Sequence, residues 1–239
     1  NISWVVDFAK RHDLLIHTHI AETRKELDDS MSQYGISPVK RMEKMGVLSE
    51  KTIAAHCVWI DEEDIAILGK YKVNVVHNIN SNLKLASGYK FKNEELKAAG
   101  ANVVFGTDGA ASSNNLDILE AMKTSAFLQK AWRNDPAAMP ISDMMKMATV
   151  NSAKALGLDS GEIKEGKLAD IVLVNTNSPA FVPQANFLGN LIYSANSSCV
   201  DTVICDGKVI MKGRVVPGEE EILRNAQRCS DLLYSKANS

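Results

Sequence analysis

Short apolar runs, each ending in a polar residue with chemical potential and each giving way to a charged helical stretch, recur four times along the chain. The runs cover 14–17 continuing into Thr18-His19, then 52–57, 73–77 and 102–106. They are too short for buried helices and are bounded by turn residues, so they read as strands. Helical spacing fills the intervals at 21–34, 38–45, 61–71 and 92–99, and two further helices are predicted at 115–132 and 142–156. Asp61 before Glu62-Glu63-Asp64 offers a cap followed by an acidic first turn, and Gly100 is placed to close the helix before the fourth strand. Residues 78–89 read as a long irregular segment. Strands alternating with helices in this way predict βα units and a parallel sheet, an α/β fold.

Residues 1–12 have the pattern of the end of an amphipathic helix, and with Asn1 in place of an initiator Met the chain reads as a fragment. After about Gly161 the pattern changes. Short strands at 169–175, 200–205 and 208–211, the last two joined by an Asp206-Gly207 hairpin turn, make a small β module. Beyond it, Ile222, Leu223, Ala226, Leu232 and Leu233 recur at helical spacing over 219–234, which predicts a C-terminal helix docked on the rest. Four parallel strands are half of an eight-stranded barrel, whose complete form takes about 250 residues.

Composition narrows the class. The 239 residues are 45% hydrophobic and 23% charged with a formal net charge of −2, an ordinary globular balance. There is no basic excess to neutralise phosphates, so neither nucleic acid nor a membrane surface is an expected partner. No apolar run of about 18 residues and no signal-peptide pattern is seen, which makes a cytoplasmic protein the expectation. Cys57, Cys199, Cys205 and Cys229 are widely spaced without a C-x-x-C pair, so they read as reduced structural residues.

Four of the five histidines, His17, His19, His56 and His77, fall at predicted strand ends, as does Asp108 in Gly-Thr-Asp-Gly. In a barrel those ends converge on the active-site face. Imidazole and carboxylate are the ligands of catalytic zinc, so His19, His56, His77 and Asp108 form a candidate constellation. Glu22, three residues after His19, is placed to shuttle a proton. Each has a plainer reading: a hydrogen-bonded core histidine, or, for Glu22, a solvated first-turn acid. A competing reading takes His17-Thr18-His19 as a self-sufficient His-x-His ligand pair, because alternate strand residues share a face.

The segments His-Thr-His-Ile-Ala-Glu-Thr (17–23), Ala-Ala-His-Cys-Val (54–58), Val-His-Asn-Ile-Asn-Ser-Asn-Leu-Lys-Leu-Ala-Ser-Gly (76–88) and Gly-Thr-Asp-Gly-Ala-Ala-Ser-Ser-Asn-Asn-Leu-Asp (106–117) resemble the amidohydrolase superfamily. Within it they look most like the 5-methylthioadenosine/S-adenosylhomocysteine deaminases, and Gly-Lys-Leu-Ala-Asp-Ile-Val (166–172) is a common superfamily ending. The resemblance implies the C-terminal half of a metal-dependent (β/α)8 TIM barrel: units 5–8 over 1–160, part of a β-sandwich over 161–217, and a C-terminal helix over 218–239. It further implies His19 and Asp108 as ligands of one Zn2+, with Fe2+ or another divalent ion also suited. Glu22 matches the proton-shuttling acid, His56 the histidine that orients the attacking water, Asp108 also the base, and His77 and Asn78 the pocket wall, with Glu22 and His56 touching substrate as well. His17 becomes a supporting residue. The family completes its metal site with a His-x-His pair on strand 1, so the resemblance implies an N-terminal half-barrel segment, or a homo-oligomer, as partner. The implied reaction is deamination of an adenosine-type nucleoside. Alternatives are chlorohydrolase or guanine-deaminase chemistry and a catalytically incomplete half-barrel.

Overall fold

The structure is a computed structural model that describes residues 2–237, so the readings on Asn1, Asn238 and Ser239 lie outside the described residues. Helix α1 (Ile2–Arg11) precedes β1 (Ile16–Ile20), followed by α2 (Arg24–Tyr34) and α3 (Pro38–Lys44). Strand β2 (Thr52–His56), α4 (Glu62–Lys70), β3 (Asn74–His77), α5 (Ile79–Lys84), α6 (Asn93–Ala99) and β4 (Asn102–Phe105) come next. The four strands form one sheet in the order β1-β2-β3-β4. All three pairings are parallel, with Ile16 opposite Thr52, Ile53 opposite Asn74 and Asn74 opposite Asn102. Parallel strands need crossover connections, and the intervening helices supply them.

Both faces of β2, β3 and β4 are buried. Ala54, Val75 and Val103 belong to a large cluster with Leu68, Leu96, Met122 and Met144. Their sequence neighbours Ile53, Val76 and Val104 belong to a second cluster with Ala155. This period of two is what sends successive side chains to opposite sides of a sheet. Strands β1 and β4 each have a neighbour on one side only, and β1 carries exposed His17 and His19 between less exposed residues.

Helices α4 and α6 meet at Gly69. A Cβ there would press on the Ala99 carbonyl well inside contact distance, and the obstacle is backbone that cannot rotate away. Gly69→Ala is therefore expected to cost about 1–3 kcal/mol, the scale of overpacking. A urea midpoint unchanged from wild type would contradict this close approach.

Several sequence expectations need correction. The segment read as irregular contains α5, whose Asn, Ser and Lys composition carries no apolar period but whose Ile79, Ser81 and Asn82 are buried. After β4 come a short α7 (Ala110–Ser113), then α8 (Ile118–Arg133). The helix expected over 142–156 is two, α9 (Ile141–Ala148) and α10 (Val150–Leu156), broken at Thr149, whose φ of −128° and ψ of −95° are not helical. Strand β5 (Ile171–Val174), the one-turn α11 (Phe187–Gly189), β6 (Val200–Cys205) and β7 (Lys208–Met211) follow. The three strands form an antiparallel sheet, and Asp206 and Gly207 both have positive φ, as a tight hairpin turn demands. The final helix α12 (Glu219–Ala237) has no buried residue. Its docking is not seen: Ile222, Leu223, Leu232 and Leu233 are all exposed.

Candidate metal and catalytic centre

The chemistry-bearing residues lie where strands end and the chain turns out of the sheet. Ala21, His56, Cys57 and Asp108 all take left-handed backbone angles, with φ of 52°, 75°, 48° and 61°. The turn after β1 is held by Glu26, whose two carboxylate oxygens accept the Ala21 and Glu22 backbone N–H groups at 2.8 Å each. Thr23 in turn caps α2 by accepting from the Glu26 backbone N–H. An N-terminal cap thus fixes the stem from which Glu22 projects.

Glu22 Oε2 lies 3.7 Å from His56 Nε2, and Asp108 Oδ2 lies 4.0 Å from the same nitrogen. The His19 and His56 rings are 5.3 Å apart between centroids. Single donor atoms from His19, His56 and Asp108 all fall within 4.8 Å of one another. Among the described residues this donor group contains His19 and His56 but not His17, so the His-x-His reading gains no support.

His56 is fully buried, and its Nε2 has no hydrogen-bond partner. An orphaned buried nitrogen between two carboxylates calls for a positive or proton-donating occupant. Two imidazoles and a carboxylate are donors that divalent transition metals accept, so the residues present fit a divalent metal.

Asp108 is held by the Ser81 hydroxyl, which donates to Oδ2 at 2.7 Å, and by the Gly109 N–H, which donates to Oδ1 at 2.8 Å. Burial on its own would raise its pKa. Hydrogen bonds from Ser81, Gly109 and Ser112, with His56 alongside, outweigh that and hold the carboxyl below the usual aspartate range. Glu22 Oε1 accepts from the Ser87 hydroxyl at 3.0 Å.

His77 stacks on Phe91 at 4.0 Å and 11°. Both its ring nitrogens are buried without partners. Burial first, then the neighbouring His56, pushes its pKa down to about 3. The folded-state value lies below the unfolded one of about 6.5, so below that pH the unfolded chain takes up a proton that the folded chain refuses. Stability is accordingly expected to fall as pH drops from about 6.5 toward 3. Urea midpoints across that window should fall less steeply for His77→Phe. Parallel curves would refute the buried neutral imidazole. Asn78, also buried, sits over Gly106, where a Cβ would collide with its Oδ1. The structure thus brings Glu22, His19, His56 and Asp108 together, while His77 and Asn78 are buried at the end of the neighbouring strand β3. Ser81, Asn82 and Ser87 carry no individual signal in the sequence, although all three lie in the 76–88 segment that bears the resemblance.

Four parallel strands with helical crossovers and polar groups gathered at the strand ends define a partial α/β barrel whose strand ends carry a donor set suited to a divalent metal. The family model described as "Amidohydrolase family" matches residues 1–210, and the chain belongs to that family. A 5'-deoxyadenosine deaminase of Methanospirillum hungatei is 45% identical over 97% of the chain and 51% of its own length. A 5-methylthioadenosine/S-adenosylhomocysteine deaminase of Archaeoglobus fulgidus is 43% identical over 95% of the chain and 54% of its own. The crystal structure of an adenosine deaminase from Xanthomonas campestris with bound zinc superposes with a TM-score of 0.93 at 34% identity, over 98% of the chain and 54% of that structure. The chain spans about half the length of these relatives.

Proposed function

We propose that the chain provides one half of a hydrolytic deaminase acting on an adenosine-type nucleoside such as 5-methylthioadenosine, S-adenosylhomocysteine or adenosine, in the cytoplasm. The observation that carries the reading is the convergence of His19, His56, Asp108 and Glu22 at the strand ends, in a chain whose relatives are named deaminases.

His19 and Asp108 would hold the metal, taken to be zinc, which when bound supplies Lewis-acid activation of water. The protein's own groups do the proton work. Asp108 takes a proton from the attacking water, whose oxygen bonds to C6 of the purine. His56 holds that water in line, and Glu22 protonates the ring nitrogen beside C6. The proton held by Asp108 then passes to the amine, which leaves the tetrahedral carbon as ammonia, and the hydroxyl proton returns to Glu22 as the carbonyl forms. His77 and Asn78 wall the purine pocket.

A second reading is favoured by the half-length match: the chain is catalytically incomplete until joined to a complementary half-barrel or a second copy. Intact mass, metal content and S-adenosylhomocysteine turnover measured on one preparation test both. Turnover with about one metal per site in a complex with a second polypeptide supports a divided deaminase. Turnover by the lone 26.1 kDa chain refutes the incomplete-half reading. Metal-loaded complex without turnover on any adenosine-type nucleoside refutes the deaminase reading.

A further inference from the structure

Three polar side chains on one short stretch each hold a different group of the centre. Ser81 Oγ donates to Asp108 Oδ2 at 2.7 Å, Asn82 Oδ1 lies 2.7 Å from His56 Nδ1, and Ser87 Oγ donates to Glu22 Oε1 at 3.0 Å. The three recipients come from the exits of three different strands. All three holders are buried. The stretch is closed on itself, the Ser87 backbone N–H donating to the Asn82 carbonyl at 2.9 Å, and its Ser87 end is tied down by the Trp59 indole N–H, which donates to the Ser87 carbonyl at 2.6 Å.

From this arrangement we infer that residues 81–87 are the positioning element of the centre, and that Asn82 fixes which nitrogen of His56 carries the proton. The inference deepens the deaminase reading, on which its catalytic meaning rests, although the proton placement can be tested without turnover. An amide oxygen can only accept a hydrogen bond, so His56 Nδ1 carries the hydrogen. In the neutral ring Nε2 then presents a lone pair. That lone pair is the orphaned atom between Glu22 and Asp108. His56 therefore acts as an acceptor, holding the attacking water by receiving its hydrogen bond.

Without Asn82 the balance reverses, because two carboxylate oxygens within 4.0 Å of Nε2 favour a hydrogen on that nitrogen. Asn82 and Ser81 are positioning residues for His56 and Asp108, and Ser87 does the same for Glu22 by leaving Oε2 as the oxygen that faces the centre.

The test is long-range proton–nitrogen NMR of the 15N-histidine-labelled full chain at pH about 9, above the ordinary imidazole range, with the His56 signals assigned by their loss in His56→Gln. The wild-type ring is expected to show a protonated, pyrrole-type Nδ1 and a pyridine-type Nε2. In Asn82→Leu, near in shape but without the acceptor, the two nitrogens should exchange types, while His17 and His19 keep theirs. A wild-type His56 protonated at Nε2, or at both nitrogens, overturns the inference without any variant having to fold. So does an Asn82→Leu spectrum with His56 unchanged. None of these outcomes depends on deamination, so a failed turnover assay and a failed tautomer assignment remain separate results.

Discussion

Replacing Glu22 by Gln is expected to lower turnover of an adenosine-type nucleoside by roughly 10²- to 10⁴-fold, the range for losing a general acid, while metal content stays at its wild-type level. The substitution is nearly isosteric, and Gln keeps an amide oxygen that can accept the Ser87 hydroxyl now bound to Glu22 Oε1. What it cannot do is deliver a proton from the position of Oε2, 3.7 Å from His56 Nε2. The loss should therefore fall on kcat with little change in KM, because the missing interaction is made only as the ring nitrogen takes its proton. Turnover is to be measured on the metal-loaded, turnover-competent assembly and metal by elemental analysis of the same sample. Joint loss of metal and activity would reassign Glu22 as a ligand.

Asp108→Asn is expected to remove both metal and turnover. Asn retains an oxygen for the Ser81 hydroxyl and tolerates the left-handed angle at this position, φ 61°, so the fold should survive. Ala would add backbone strain to the chemical change and blur the result. The carboxylate charge is the part that Asn lacks, and that charge serves both as ligand and as proton acceptor. Loss of a group that merely supports a metal ligand already weakens binding by about 10- to 100-fold, and loss of the ligand itself should exceed that. Full metal occupancy in Asp108→Asn with an unchanged thermal midpoint would place the metal elsewhere.

How much of this could be read from the residues depends on the range of the forces involved. The four barrel strands stand within two residues of where apolar runs placed them, since burial against both faces leaves a strong local pattern. Helix α4 was legible from the Asp61 cap, which the structure completes as a reciprocal pair with Asp64. Helix α5 was not. Its Asn-Ser-Asn core looks like turn chemistry, and what stabilises it is contact with groups far away in the chain. Ser81 and Asp108 are 27 positions apart, Asn82 and His56 are 26, and Ser87 and Glu22 are 65. No spacing rule reaches that far. The strand-end positions single out His19, Glu22, His56 and Asp108 as candidates and the resemblance adds their roles, but neither reaches the polar supports that orient them. Helix α12 failed the other way: its apolar spacing is real, yet nothing within the described residues covers it.

The left-handed turns at Ala21, His56, Cys57 and Asp108 carry one more consequence. A non-glycine residue in that conformation costs on the order of 1–2 kcal/mol, least at Asp108, whose short polar side chain tolerates it, and glycine would relieve it. Ala21 makes the point most cleanly, since its side chain is a single methyl group with no polar role, and it is wholly buried. Glycine at Ala21 would relieve that strain at the loss of only one buried methyl group, while loosening the angle at which Glu22 leaves the sheet; at His56, Cys57 and Asp108 it would delete a side chain that is buried or belongs to the centre. Thermal selection and catalytic selection therefore pull against each other at Ala21 alone among the four, and a variant library screened for heat resistance without turnover would not protect the turn that aims Glu22.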